Sequence, residues 1–279
     1  MKYKMLVSDF DGTLTDSSGK IPPENIQAIR AFMDAGGFFT VSTGRMLQSI
    51  IKKLDELGLG GANVPLISYQ GALITDIGTG ERLHSVPMER ETVRKILRYC
   101  AVNRLHCQYY SFDALYVNEY CFKARQYAEY TQVTDCTVVT GGLEAYMDAH
   151  PELPICKVLI IDEPENIAEV ENKLNAYFDG AAVFARAAGS LTECVAPDAG
   201  KGNAVRWLSA AKGIPMSEIA AIGDAGNDAS MLAAAGLGIA MGNAPEALKR
   251  IAGYITDDND SGGFANAVYR ILRGAFDTK

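Results

Sequence analysis

Short apolar runs alternate with segments of helical period at the two ends of this chain. Tyr3–Ser8, Phe38–Ser42 and Leu66–Tyr69 are apolar stretches of strand length bounded by turn-forming residues. Between the first two, Pro22-Pro23-Glu24 supplies a helix start, Ile26, Ile29 and Met33 recur at helical spacing, and Gly36-Gly37 ends the element. A further helix is predicted from Arg45 toward Leu57. The same grammar resumes late in the chain: a helix from Lys201 to Lys212, a strand at Ile219–Gly223, a helix through Met231, a strand at Gly238–Met241, and helices near 245–251 and 262–273. Alternation of this kind predicts βαβ units around a parallel sheet. Residues 1–81 and 190–279 therefore read as one divided α/β domain with a Rossmann-like core.

The middle follows a different order. Helices are predicted over 89–103, 119–131 and 164–178, with strand-like stretches at His106–Ser111, Leu115–Asn118, Thr137–Thr140, Cys156–Ile161 and Ala182–Arg186. This pattern predicts a separate α+β unit, residues 82–189, inserted into the first domain. Its borders, Gly78-Thr79-Gly80 and Ala187-Ala188-Gly189, carry glycines that can hinge.

Composition narrows the functional classes. The 279 residues are 48% hydrophobic and carry a formal charge of −8, which argues against a nucleic-acid or acidic-membrane partner, because both require positive surface. No apolar run reaches bilayer length and no signal-peptide pattern opens the chain, so a cytoplasmic location and no membrane partner are expected. Six cysteines lie scattered without a CxxC, and three histidines lack metal-motif spacing. Reduced thiols and no zinc site are therefore expected.

Chemistry concentrates at predicted strand ends. Asp9 and Asp11 lie two apart after the first strand, on one face if the strand continues, and Gly12 permits a sharp turn. Val41-Ser42-Thr43-Gly44-Arg45 places a hydroxyl, a glycine and an arginine where backbone N–H groups suit a phosphate oxygen. Gly200-Lys201-Gly202 opens a helix with a lysine, and Gly223-Asp224-Ala-Gly-Asn227-Asp228 crowds two acids and an amide onto a strand-to-helix turn. Each cluster alone also fits an ordinary turn or helix cap. Convergence of Asp9, Asp224 and Asp228 would cost on the order of 4 kcal/mol per like-charged pair about 4 Å apart at an effective dielectric near 20. An all-oxygen ligand set with no nearby His or Cys points to a hard divalent ion, Mg²⁺, as the offsetting charge.

Asp9-Phe-Asp11-Gly-Thr-Leu, Thr43-Gly44-Arg45, Lys201-Gly202 and Gly223-Asp224-x-x-Asn227-Asp228 together resemble, in order, the four motifs of haloacid dehalogenase superfamily phosphatases. Tyr69-Gln70-Gly71-Ala72, Ala240-Met241-Gly242-Asn243-Ala244 and the stretch from Tyr254 to Gly262 are similar to loops of the Cof-type branch. The insert's position matches that branch's C2-type cap, a lid where substrate specificity would reside. Gln70 departs from the asparagine usual there. The resemblance implies hydrolysis of a small phosphorylated metabolite, such as a sugar phosphate, through an aspartyl-phosphate. Asp9 would be the nucleophile and Asp11 the acid and base, with Lys201 offsetting charge. Thr43, Gly44 and Asn227 would hold phosphate oxygens, and Arg45 would reach substrate or pack at a helix start. Asp9, Asp224, the Asp11 backbone carbonyl and Asp228, in or beside the coordination sphere, would hold Mg²⁺. A dehalogenase would have no need of Asp11. A phosphomutase, or a phosphate-ligand sensor without turnover, remains as the alternative. Tyr109, Tyr110, Tyr116, Arg125 and Lys157 are candidate cap contacts among which the sequence does not choose.

Overall fold

Met5–Ser8 is buried at all four positions, as expected of a strand covered by helices on both faces. It lies in a five-stranded parallel sheet in the order Tyr254–Ile255, Leu237–Ala240, Ile219–Gly223, Met5–Ser8, Phe38–Val41. The computed structural model describes residues 1–57, 64–112, 114–131, 136–188 and 190–277. On one face of the sheet, Met5, Val7, Ile219 and Ala221 pack with Ala204, Val205 and Leu208 of the helix Lys201–Lys212 and with Met231 and Leu232 of Ala229–Ala234. On the other, the helices Pro23–Asp34 and Gly263–Leu272 pack together, and Phe264 meets Phe39 edge to face at 6.5 Å. The result is an α/β fold of three layers.

Topology sets where chemistry can sit. The chain leaves Met5–Ser8 toward Phe38–Val41 on one side, while Ile219–Gly223 pairs on the other, with Ser8 opposite Ile222. The strand order reverses between these two central strands, and in open α/β sheets the crevice beyond the carboxyl ends at such a point is the ligand site. Asp9 and Asp224 are the first residues past those two ends.

The chain divides into two compact units: Met1–Thr43, Ile51–Leu83 and Gly200–Lys279 form one, and Gly44–Ile50 with His84–Ala199 the other. The second unit has its own six-stranded sheet, in the order Val183–Ala188, Leu191–Val195, Lys157–Ile161, His106–Ser111, Ala114–Val117, Cys136–Val138. Its pairs are antiparallel except the last. The helix Arg90–Val102 starts on Glu89, whose carboxylate accepts from the N–H groups of Glu91 and Thr92. Arg94 then reaches Asp148 of the helix Leu143–Ala149 with a two-pronged hydrogen bond.

Sequence and structure differ in places that have physical reasons. Leu191–Val195 pairs with Val183–Ala188 as a hairpin inside the inserted sheet, whereas its position after an Ala-Ala-Gly run reads as the start of the second core segment. Gly189 of that expected hinge lies outside the described residues. The helix expected from Arg45 begins later, as a short 3₁₀ turn at Leu47–Ser49 followed by Ile51–Glu56. Leu73–Asp76 and Leu143–Ala149 were not legible, being too short for a period to register.

Candidate active site

Asp9 continues the central strand: its N–H donates to Ile222 O at 2.9 Å, so its side chain is delivered at the carboxyl edge of the sheet. Gly12 follows with φ +75°, and a Cβ there would lie 2.6 Å from Asp224 Oδ2, which is why only glycine lets this turn approach the neighbouring strand end. Lys201, at the first turn of its helix and 1% exposed, donates from Nζ to Asp9 Oδ1 at 2.5 Å and Asp228 Oδ1 at 2.6 Å. Asp228 is fully buried, and its Oδ2 accepts from the N–H groups of Asp224 and Ala225 at 3.0 and 2.9 Å. Asp224 Oδ1 accepts from Thr13 Oγ1 at 2.6 Å. Oxygen atoms of Asp9, Asp224 and Asp228 all lie within 4.8 Å of one another. Thus four residues separated by up to 219 positions in sequence share one point.

The charges at that point do not cancel. Burial, then Asp228, push the Asp9 carboxyl well above the usual carboxylate range despite the opposing pull of Lys201. Burial, with Asp228 adding to it and the Thr13 hydroxyl opposing, raises Asp224 to about 6. Burial works against the Lys201 ammonium, but Asp228 and Asp9 outweigh it and hold the lysine above its ordinary value. The lysine therefore stays charged, and it is the one ammonium that Asp9 and Asp228 share while Asp224 accepts from the Thr13 hydroxyl. Three carboxylates against one ammonium, all oxygen donors, fit a hard divalent cation better than they fit a closed structural ion pair.

A pH dependence follows with a definite sign. Because the folded-state pKa of Asp224 lies above 3.8, the folded protein binds more protons than the unfolded chain between about pH 4 and 6, and stability falls as pH rises through that window. In metal-free buffer, the Tm of the protein relative to its Asp224→Asn variant is expected to fall by several degrees from pH 4 to 7. A difference independent of pH in calorimetric scans would contradict the assignment.

The remaining expected residues are arranged less directly. Thr43 is buried, donates its N–H to Ile67 O at 2.9 Å, and accepts the N–H of Gln70 at its carbonyl at 3.0 Å. Asn227 Nδ2 donates to Gln70 Oε1 at 3.1 Å, while Asn227 Oδ1 is buried without a hydrogen-bond partner. Gln70 thus stands between the two expected phosphate holders, on a turn where Tyr69 and Gln70 have φ of 50° and 57°. Beyond it, a Cβ on Gly71 would meet Gly200 O at 2.4 Å, so this turn abuts the start of the Lys201 helix. Gly44 falls in the other unit, where its carbonyl accepts from Lys157 Nζ at 2.9 Å. Asp11 is exposed.

Asn243, in the loop after Leu237–Ala240, has no role expected from the sequence. Its Nδ2 donates to Gly12 O at 3.0 Å and Asp224 Oδ2 at 3.3 Å, and its Oδ1 accepts from Asn259 N at 3.2 Å. The contact with Asn259 turns the amide so that its NH₂ faces the acid. The signal was its position just past Leu237–Ala240, the next parallel strand over from Asp224.

The sequence model of the haloacid dehalogenase-like hydrolases matches residues 6–268. This chain belongs to that family. Within it, the protein is a Cof-type phosphatase. The 5-amino-6-(5-phospho-D-ribitylamino)uracil phosphatase YwtE of Bacillus subtilis is 29% identical over 292 residues, covering 98% of this chain and 99% of the relative. A haloacid dehalogenase-like hydrolase from Bacteroides thetaiotaomicron is similar in structure, with a TM-score of 0.84 at 28% identity over 96% of this chain and 99% of the other. A haloacid dehalogenase-like hydrolase from B. subtilis also gives 0.84, at 26% identity, with 96% and 100% covered. Among the described residues of this haloacid dehalogenase-like phosphatase, no helix is long and apolar enough to cross a membrane.

Proposed function

We propose that this phosphatase hydrolyses the phosphomonoester of a small metabolite through an aspartyl-phosphate on Asp9, with Mg²⁺ as its cofactor. The observation that carries the reading is the Asp9 carboxylate, held by a buried ammonium at 2.5 Å at the sheet's topological switch point, with Asp11 two residues further on. YwtE is named for a phosphorylated ribitylaminouracil, which supports a small phosphorylated metabolite as substrate here.

In this reading an Asp9 carboxylate oxygen attacks phosphorus, and the ester oxygen departs with the proton of the Asp11 carboxyl. The Asp11 carboxylate then takes a proton from water as that water attacks the phosphorus of the aspartyl-phosphate, releasing inorganic phosphate and restoring both aspartates. Lys201 holds the nucleophile in place and offsets its charge. Thr43 and Asn227 hold the transferring oxygens. Asp9, Asp224 and the backbone carbonyl of Asp11 would hold Mg²⁺, with Asp228 beside them. When bound, that ion supplies the charge that keeps the carboxylates ionised against a phosphate dianion. Asn243 would hold the Asp224 oxygen not taken by Thr13.

The test is phosphate release from p-nitrophenyl phosphate. Turnover is expected with millimolar Mg²⁺ and a loss of at least about 100-fold after chelation. Full activity in excess EDTA would remove the ion from the reaction.

A further inference from the structure

Cys121 Sγ lies 3.4 Å from His106 Nδ1 in the inserted unit. The other ring nitrogen, Nε2, lies 3.3 Å from Gln108 Oε1. Gln108 is fully buried and donates from its own Nε2 to Tyr110 OH at 2.7 Å, which turns its oxygen toward the imidazole. An amide oxygen only accepts, so the ring proton sits on Nε2 and the Nδ1 lone pair faces the thiol. This is the nucleophile, base and orienting group in series that activated thiols use. The series is set by strand geometry: His106, Gln108 and Tyr110 alternate along one face of His106–Ser111.

Cys121 and His106 also line a cavity of about 780 Å³, within the size range of small-molecule sites, roughly 300–1,000 Å³. Arg98, Arg104 and Lys123 line it together with Glu119 and Glu144, a surplus of one positive charge that suits a ligand bearing carboxylates. Of the other sulfurs, Cys100 and Cys107 line the same cavity, but the His106 imidazole stands against Cys121. Cys100, Cys107, Cys156 and Cys194 are buried, and Cys136, half-buried like Cys121, has its thiol pushed up by burial. Burial also lowers the His106 imidazolium from its ordinary value, so the ring is a neutral base near pH 7.

We propose that Cys121, His106 and Gln108 form a reversible thiol-modification site on the insert, which takes small carboxylate-bearing disulfides of the glutathione class. Cys121 Sγ attacks one sulfur of the disulfide as its proton passes to His106 Nδ1. The disulfide bond breaks, and the departing thiolate takes that proton. The products are a mixed disulfide on Cys121 and one free thiol, so a second thiol reverses the step.

The experiment treats the full chain with oxidised glutathione at pH 7 and follows each cysteine by peptide mass mapping. Cys121 is expected to react at least about tenfold faster than Cys136. His106→Asn is expected to slow Cys121 at least about fivefold while leaving Cys136 unchanged. Unfolding would instead expose Cys156 and Cys194, buried and outside the cavity, so labelling of those two separates lost structure from lost base; Gln108→Leu, expected to slow Cys121 as well, stands in if His106→Asn fails that control. Equal rates at Cys121 and Cys136, or a Cys121 rate that ignores both substitutions in folded protein, would overturn the proposal.

Discussion

Asp9→Asn is expected to lower phosphate release from p-nitrophenyl phosphate by at least about 10⁴-fold, more than 5 kcal/mol of barrier, while the protein stays folded. The amide matches the carboxylate in shape but is far less nucleophilic. Asp224 and Asp228 lie close to it, yet both Asp228 oxygens already accept hydrogen bonds and Asp224 is held by Thr13 and Asn243. Stability should hold or rise, because the substitution removes one of three crowded carboxylates whose ionisation burial opposes. A drop below tenfold in steady-state assays would take the nucleophile away from Asp9.

Lys201→Met carries the second large effect, and it strikes stability and rate together. Methionine fills similar volume but leaves Asp9 and Asp228 without the ammonium that bonds both. Uncompensated buried charge costs about 3–5 kcal/mol, lessened where Asp9 takes up a proton. That uptake fixes the sign: removing the lysine raises the Asp9 pKa further, so the deficit in Tm should be larger at pH 8 than at pH 5. Turnover is expected to fall about 10²–10³-fold or more. Adding Asp228→Asn should return much of the stability and none of the rate, which separates the lysine's two effects. A double variant no more stable than Lys201→Met would contradict the charge argument.

The strands that end in Asp9 and Asp224 were readable because their signals are local. An apolar run ending in Asp9, and another ending in Asp224, announce parallel strands and their carboxyl ends without any knowledge of their neighbours. The Lys201 helix was legible for the same reason, its boundaries matching the structure at Lys201–Lys212. What sequence could not supply is which side chains meet once those ends converge. Gln70 meets Asn227 across 157 positions, from a left-handed backbone next to the glycine, Gly71, that abuts Gly200. Asn243 reaches Asp224 only because Leu237–Ala240 pairs in register with Ile219–Gly223. Leu191–Val195 was missed because pairing with Val183–Ala188, not its own composition, makes it a strand of the insert. The pair of Cys121 and His106 depends on how the segment after Ala114–Val117 returns beside His106–Ser111, which no spacing rule encodes.

The central claim is a covalent bond between Asp9 and phosphorus. It is tested most directly by acid-quenching the enzyme during steady turnover, reducing it with borohydride, which converts an aspartyl-phosphate to homoserine, and mapping the peptide that holds residues 9 and 11. Homoserine at position 9, dependent on substrate and absent from position 11, is the expected result. Aspartate intact at position 9 while phosphate accumulates, under conditions in which a synthetic acyl phosphate is reduced, would contradict it.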